Sequence, residues 1–395
     1  METVAADGSL LAYFSVIEDP RDASKRRHKL VDMIAIAVAA VICGADDWVH
    51  VAEFGRSKEA WLRGFLDLPN GIPAHDTFGR VFSLLDPKAF EDCFRAWAAS
   101  VRRLLPEEIV AIDGKSLRGS RDRSGGTGPL HMVSAWATAS RVVLGQVSTE
   151  AKSNEIEAIP RLLDTLMLKG CIVTIDAMGC QTKIAEKIVE RGGNYVLALK
   201  GNQETLAAEV EEAFIDADAK DYADLDSQVF ETSERGHGRR ETRRYRTLGD
   251  LSGVSRSPLW KAMNMIGMVE SIREIDGKVS REVRWYIGSV GTDAERFARA
   301  VRGHWGIEND LHWSLDVAFR EDAARIRERN AAENFAVLRH IALTRLKSPS
   351  SGKGGVKTKR LRAGWNHDYL ATLLLAAPPE PPTADTSATA NIRKG

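Results

Sequence analysis

Three acidic side chains occupy positions where their chemistry matters. Asp113 ends the apolar run Ile109-Val110-Ala111-Ile112, and Asp176 ends Cys171-Ile172-Val173-Thr174-Ile175. A carboxylate at the end of a buried strand faces the crevice in which open α/β sheets bind their ligands. Two such groups side by side repel unless one is protonated or a cation bridges them. Mg2+ suits a site of a few carboxylate oxygens that leaves room for water and phosphate. Taken alone, either aspartate is equally well read as a turn cap. Glu308 is the third candidate: it follows apolar Ile307 on an amphipathic helical stretch near Trp305 and Leu311. A carboxylate bordering such a stripe is costly without a cation beside it. In isolation the plainer reading is a partly exposed glutamate.

The elements that must position these acids follow from the apolar pattern. Val110, Met132 to Ala139 and Val142 to Val147 mark three strands, and Ile156, Ile159, Leu162, Leu163 and Leu166 mark a helix. Cys171 to Asp176 is a fourth strand, Ile184, Ile188 and Val189 lie on a second helix, and Tyr195 to Leu199 is a fifth strand. The order β-β-β-α-β-α-β predicts an α/β fold with a mixed sheet and helices packed against it. The gap from Asp176 to Glu308 is far longer than one strand and one helix need, so an insertion must lie between them. Residues 204–290 supply it: an acidic helix from Leu206 to Phe214, arginine-rich strands, and a hairpin about Asp276-Gly277. A long helical pattern resumes at Asp293.

Before Glu107 the chain reads as helical. Met33 to Cys43 is an apolar helix well short of the ~20 residues of a bilayer span. A turn at Pro69 to Pro73 precedes His75-Asp76-Thr77, whose Asp or Thr is a candidate helix cap. Helix, tight turn and short helix bearing Arg80 is compatible with a helix-turn-helix DNA reader, and equally with a small helical domain packed on its neighbour. The expected divisions are residues 1–105, helical; 106–203 with 291–347, the catalytic core; 204–290, a β-rich basic insertion; and 377–395, a disordered tail rich in Pro, Ala and Thr.

Composition narrows the partners. With 44% hydrophobic and 28% charged residues the chain is an ordinary globular protein, which excludes a disordered or collagen-like description. Four separated cysteines without a CxxC pair suggest neither zinc nor a disulfide framework, and a reducing cytoplasm is the expected home. The N-terminus has no secretory pattern. Net charge is zero from 55 basic and 55 acidic residues, yet the signs are segregated. Residues 204–226 hold nine acids and one lysine, whereas 235–246 hold six arginines, His237 and one acid. Local potential of this kind is what a polyanion senses.

Several blocks resemble the H repeat-associated transposases of bacterial insertion sequences, within the DDE class: AIDGKSLRGS at 111–120, TIDAMGCQ at 174–181, YVLALKGNQ at 195–203, HGRRETRRY at 237–245 and RGHWGIENDLHWSLDVAFRED at 302–322. The resemblance covers about residues 10 to 370. It implies an RNase H-like catalytic fold, Asp113, Asp176 and Glu308 as catalytic acids, and a dimeric synaptic complex on DNA. Those acids would hold two Mg2+ ions, with Mn2+ as a substitute, for in-line displacement at phosphorus. The chemistry would be cleavage and strand transfer at element ends, in a bacterial cytoplasm beside the nucleoid. Related enzymes surround the last acid with Tyr-x2-Arg-x3-Glu-x6-Lys, whereas Val301, His304, Glu308 and Leu315 stand here. Only the glutamate is kept, so roles for the missing Tyr and Lys do not carry over.

Further residues are candidates for phosphate contact: Lys115 and Arg118 after Asp113; Lys200, Asn202 and Gln203 after the fifth strand; and His304, with solvated surface as the competing reading for the first two groups. Arg239, Arg240, Arg243 and Arg244 form the densest cluster. On a strand, Arg239 and Arg243 share one face and Arg240 and Arg244 the other, which favours a backbone contact over base reading. His304, Glu308 and His312 at i, i+4 and i+8 resemble a zinc face, but the motif is not HExxH and the partner acids favour a hard cation. Asp316, Glu321 and Asp322 are spare acids able to replace Glu308 in this reading. Two rival functions remain open: a domesticated nuclease that cuts DNA without joining it, and a non-catalytic DNA-binding protein.

Overall fold

The computed structural model describes residues 9–101, 106–121, 126, 128–149, 155–236 and 238–375. The expected tail at 377–395 and His237 lie outside them.

Five helices open the chain: α1 Leu10–Phe14, α2 Leu30–Cys43, α3 Trp48–Leu62, α4 His75–Leu84 and α5 Pro87–Ser100. Helix α2 is apolar on every side and almost wholly buried, as a helix at the centre of a layer must be. Its end is set by Gly44 at φ +122, a conformation that costs little only without a β-carbon. Helix α4 begins two or three residues earlier than a cap at Asp76 or Thr77 implies: Ala74 is its N-cap, and Asp76 lies in the first turn.

The core then follows the expected order: β1 Ile109–Leu117, β2 Leu130–Ala137, β3 Val142–Thr149, α6 Glu155–Thr165, β4 Ile172–Ile175, α7 Thr182–Glu190 and β5 Asn194–Leu199. Next come α8 Glu204–Ala219 and four long strands, β6 Ser227–Gly236, β7 Arg239–Leu248, β8 Met265–Ile275 and β9 Lys278–Gly288. All nine strands belong to one sheet, in the order β3-β2-β1-β4-β5-β9-β8-β7-β6. The inserted strands therefore extend the central sheet, through antiparallel pairing of β5 with β9, instead of forming a layer of their own. Asp276 and Gly277, both at positive φ, make the tight turn between β8 and β9. The turn-proximal residues 278–283 are exposed, Val279 and Val283 among them, so this end of the sheet is open to solvent on both faces.

The chain returns through α9 Ala294–Gly306, a π-helical turn Ile307–His312, α10 Trp313–Val317, α11 Arg329–Lys347, α12 Val356–Trp365 and α13 His367–Leu375. Alternation on β1 divides the interior in two. Val110 and Ile112 face α6 and α7, while Ala111 faces the helical layer and the π turn. The opening helices do not bury a core of their own. They share one apolar core with α11 to α13 and with the β1–β3 face. Within it Trp48 packs edge-on against Phe335, and Asn334 Nδ2 donates to the carbonyls of Phe82 (2.8 Å) and Leu85 (3.0 Å).

Candidate active site

Strands β1 and β4 run parallel with Ile112 opposite Ile175, so the residues that follow, Asp113 and Asp176, lie beside each other where β4 stops. Asp176 caps a short 3-10 turn over Ala177–Gly179, its Oδ1 accepting from the Met178 (3.0 Å) and Gly179 (3.3 Å) amides. Asp113 Oδ1 accepts from the Gly114 amide at 2.8 Å. Asp113 shares the sheet face of Ala111, toward the π turn, by the two-residue period of a strand.

Helix α9 lies close against this face because glycine permits it. A β-carbon at Gly303 would meet the Ile109 side chain at 2.8 Å, and the Gly303 carbonyl accepts from Thr138 Oγ1 at 3.0 Å. The π turn then widens the helix around Glu308, which stands exposed on it. Such turns occur often at functional sites. Lys347 Nζ clamps the turn through the Asp310 carbonyl (2.9 Å) and carboxylate (3.0 Å).

The electrostatics tie the three acids together. Burial pushes the Asp113 carboxyl up to about 7, the Gly114 amide partly opposes this, and the negative charges of Asp176, Glu155 and Glu308 add to the rise. Among the described residues no Lys or Arg forms an ion pair with this carboxyl. His312 Nδ1 lies 3.6 Å from Asp113 Oδ2, but burial and nearby Lys115 hold the imidazole down at about 4, so the contact is not an ion pair at neutral pH. His312 Nε2 is buried without a hydrogen-bond partner among the described residues. Behind Asp113, Glu155 Oε1 and His131 Nε2 are 2.6 Å apart, and His131 Nδ1 lies 2.9 Å from Ser116 Oγ. A β-carbon at Gly114 would overlap both members of that pair. Among the described residues, no three His, Cys, Asp or Glu side chains stand grouped closely enough to hold a metal as they are. What they offer is a set of hard oxygen donors with accumulated negative charge, which matches the preferences of Mg2+.

Residues 105–345 match the Transposase DDE domain family, and residues 11–98 match the DDE_Tnp_1-associated family. Over 374 residues the chain is 44% identical to "Putative transposase YncI" of Escherichia coli O157:H7, covering 93% of this chain and 94% of that one. Over 371 residues it is 40% identical to "H repeat-associated putative transposase YhhI" of Escherichia coli K12, covering 92% and 97%. The chain belongs to the DDE transposases, with the H repeat-associated group as its kin. A piggyBac transposase synaptic complex with hairpin DNA aligns over 98% of this chain and 86% of that chain at TM-score 0.37 and 11% identity, a likeness too distant to carry an argument.

In this transposase several side chains expected at DNA have other duties. Lys115 is only 12% exposed and its Nζ lies 2.7 Å from Asp316, 2.9 Å from Glu321 and 3.3 Å from Asp322. Burial alone would depress its pKa, but those carboxylates raise it above the usual range. It is an internal cation, and the three acids around it are its partners, not free substitutes for Glu308. Asn202 Nδ2 donates to the Ala177 carbonyl and Gln203 Nε2 to that of Cys180 (3.0 Å), so both brace the turn that Asp176 caps. His304 turns inward, Nδ1 3.3 Å from Thr174 Oγ1, and burial lowers its pKa; it is not a cation for phosphate. His304, Glu308 and His312 do not form a zinc face, because the π turn breaks their α-helical spacing.

The arginine cluster is a strand, with the expected alternation, but most of it is cross-linked. Arg243 Nη2 lies 2.6 Å and Arg273 Nε 2.8 Å from Glu241, with Arg239 at 3.7 Å. Burial would raise the Glu241 carboxyl, but Arg273, Arg243 and Arg239 hold it below the usual range. Arg244 faces Glu231 (3.1 Å) and Glu270 (3.6 Å). Arg240, directly opposite Arg235 in the β6–β7 register, and Lys200 stay exposed, as does Arg118 at 81% with a 3.4 Å contact to Asp322.

The sequence reading missed His312, the Glu155–His131 pair and the π turn. His312 was visible as one member of the His304, Glu308, His312 spacing, and only its neighbour across the fold assigns it a place beside Asp113.

Proposed function

We propose that this transposase cuts DNA at insertion-sequence ends and joins the cut ends to target DNA, in an RNase H-like catalytic core, with Asp113, Asp176 and Glu308 as its catalytic acids. The observation that carries the reading is the setting of Asp113: a half-buried carboxyl raised first by desolvation and then by the charges of Asp176, Glu155 and Glu308, which come from remote segments of chain. The three-strand meander followed by parallel β4 and β5 supports the core assignment.

Asp113 and Asp176 would hold Mg2+, or Mn2+ in its place, with Glu308 completing the set. Two such ions, when bound, activate an attacking hydroxyl and neutralise charge on the leaving oxygen. The chain's own contribution is placement. The sheet fixes Asp113 and Asp176 by register; Asn202 and Gln203 hold the Asp176 turn; Lys347 holds the π turn that carries Glu308. Neutral His312 leaves the Asp113 charge uncancelled, so it remains open to a cation. The partner is DNA, the working unit a homodimer that pairs two ends, and the setting a bacterial cytoplasm beside the nucleoid.

The test is incubation with the terminal repeats of the element and Mg2+ or Mn2+, with mapping of the cut strands and a strand-transfer arm using pre-cleaved ends. Asp113→Asn, Asp176→Asn and Glu308→Gln should each reduce cleavage by about a hundred- to a thousandfold, since each removes a ligand of the cations that would stabilise the transition state, while DNA binding stays near wild type. Cleavage retained in any one variant removes that residue from the site. Cutting without joining would leave a nuclease.

A further inference from the structure

A cleft of about 630 Å3 lies between the helical layer and the segment that follows α10. Arg80 of α4 lines one wall, and Arg320, Arg325 and Arg327 line the other. All four are exposed, and none has an ion pair or side-chain hydrogen bond among the described residues. By contrast, Arg239, Arg243 and Arg244 of β7 are paired with glutamates. Arg320 adopts the left-handed conformation, φ 49 and ψ 39, which a branched or long side chain takes only when its surroundings require it.

The acids that share the cleft are already committed. Asp46 lies 3.5 Å from Arg360. Asp47 and Glu328 cap the starts of α3 and α11, accepting from the His50 (2.8 Å) and Ala331 (2.7 Å) amides. Asp76 lies in the first turn of α4. Asp76 also lies 3.1 Å from His75 Nε2, so all four acids have partners of their own, whereas the four guanidinium groups have none among the described residues.

The arginine wall is also bound to the catalytic strand. Glu321 and Asp322 hold Lys115, two residues from Asp113, and Gly119 packs directly on the Ala324 carbonyl. A ligand lying in the cleft therefore rests on the segment that anchors the end of β1.

We propose that this cleft is a DNA-backbone site, in which Arg80, Arg320, Arg325 and Arg327 contact phosphates of the duplex flanking the point of cleavage. The proposal rests on the transposase reading above and gives it a DNA-binding surface distinct from the β7 arginines. A polyanion fits better than a small anion because four flexible cations on opposite walls span more than one phosphate. Guanidinium contacts to phosphate position a duplex without reading its sequence.

The experiment measures binding of a labelled random-sequence duplex to the full chain across a salt series, without divalent ion, so that the chemistry plays no part. Each lost phosphate contact should lower the slope of log affinity against log salt by about 0.9. Arg325→Gln with Arg327→Gln should lower it by about 1.8 and Arg80→Gln by about 0.9, while Arg325→Lys with Arg327→Lys keeps most of it. Arg256→Gln with Lys261→Gln, exposed and outside the cleft, is the control for simple loss of charge. An unchanged slope in the cleft variants, or an equal fall in the control, overturns the proposal. Unfolding is monitored by circular dichroism, and the lysine pair, which keeps the charge, separates a lost contact from a lost fold. Weaker binding in the cleft variants together with full cleavage by Asp113→Asn would sink the catalytic reading and leave the cleft standing; the reverse pattern would do the opposite.

Discussion

Asp113 shows what the proposed catalytic role asks of a single residue. Its carboxyl sits where the fold makes ionisation costly, a cost that the Gly114 amide relieves only in part. In the unfolded chain this group ionises near its ordinary value, so stability falls as pH rises from about 4 towards 7. Asp113→Asn removes the penalty. At pH 8 without metal the variant should melt above wild type, by an amount equivalent to roughly 1–3 kcal/mol, and the difference should vanish near pH 4. Adding Mn2+ should raise the melting temperature of wild type and leave Asp113→Asn almost unmoved, by ordinary ligand linkage. A variant no more stable than wild type at pH 8 would show that the burial and charge argument is wrong.

Elements succeed or fail here by how they meet. Helix α5 joins the sheet through Glu91, whose Oε1 accepts from the Gln146 amide at 2.9 Å in a buried setting. Burial pushes that carboxyl up to about 8, opposed by the Gln146 amide and Arg95. The folded group therefore holds its proton longer than the unfolded one, and stability declines between about pH 4.5 and 8 on this account. Glu91→Gln keeps the accepting oxygen and removes the titration. Its melting temperature should be flatter across that window than that of wild type, with a gain on the order of 2 kcal/mol at pH 8, measured by thermal denaturation in a buffer series. The element order was readable because strand and helix periods differ, and five strands and two helices fall in the expected sequence. The π turn was not, since a single extra residue per turn leaves the apolar pattern of Ile307 and Leu311 intact. That turn decides where Glu308 and His312 go.

At the scale of the whole molecule, the opening helices and the C-terminal helices are packed into one apolar core. Helices α1 to α5 share their interior with α11 to α13, and Arg360 of α12 donates to the Val41 carbonyl in α2 at 2.9 Å. A fragment beginning at Pro106 would expose the buried faces of α11, including Phe335, Leu338 and Ile341. It should be insoluble or molten, with weak near-ultraviolet circular dichroism and no cooperative melt, because an apolar face of that extent is not tolerated in water. A cooperatively folding fragment would restore the two-domain view. The insertion shows the same lesson, since its strands continue the central sheet and do not stand apart from it.

The apolar spacing and the three acids were written in the linear chain: alternation of side chains about a strand and recurrence along a helix are local consequences of backbone geometry, and they survive without knowledge of neighbours. The partners of Lys115, Asn202, Gln203 and His304 were not, because whether a polar side chain meets water, phosphate or another residue depends on which distant segment arrives beside it. Only tertiary structure set Lys115 among three carboxylates and left Arg80, Arg320, Arg325 and Arg327 around one cleft without an ion-pair partner among the described residues. Charge pairing is a property of proximity in space, and sequence distance carries almost none of it.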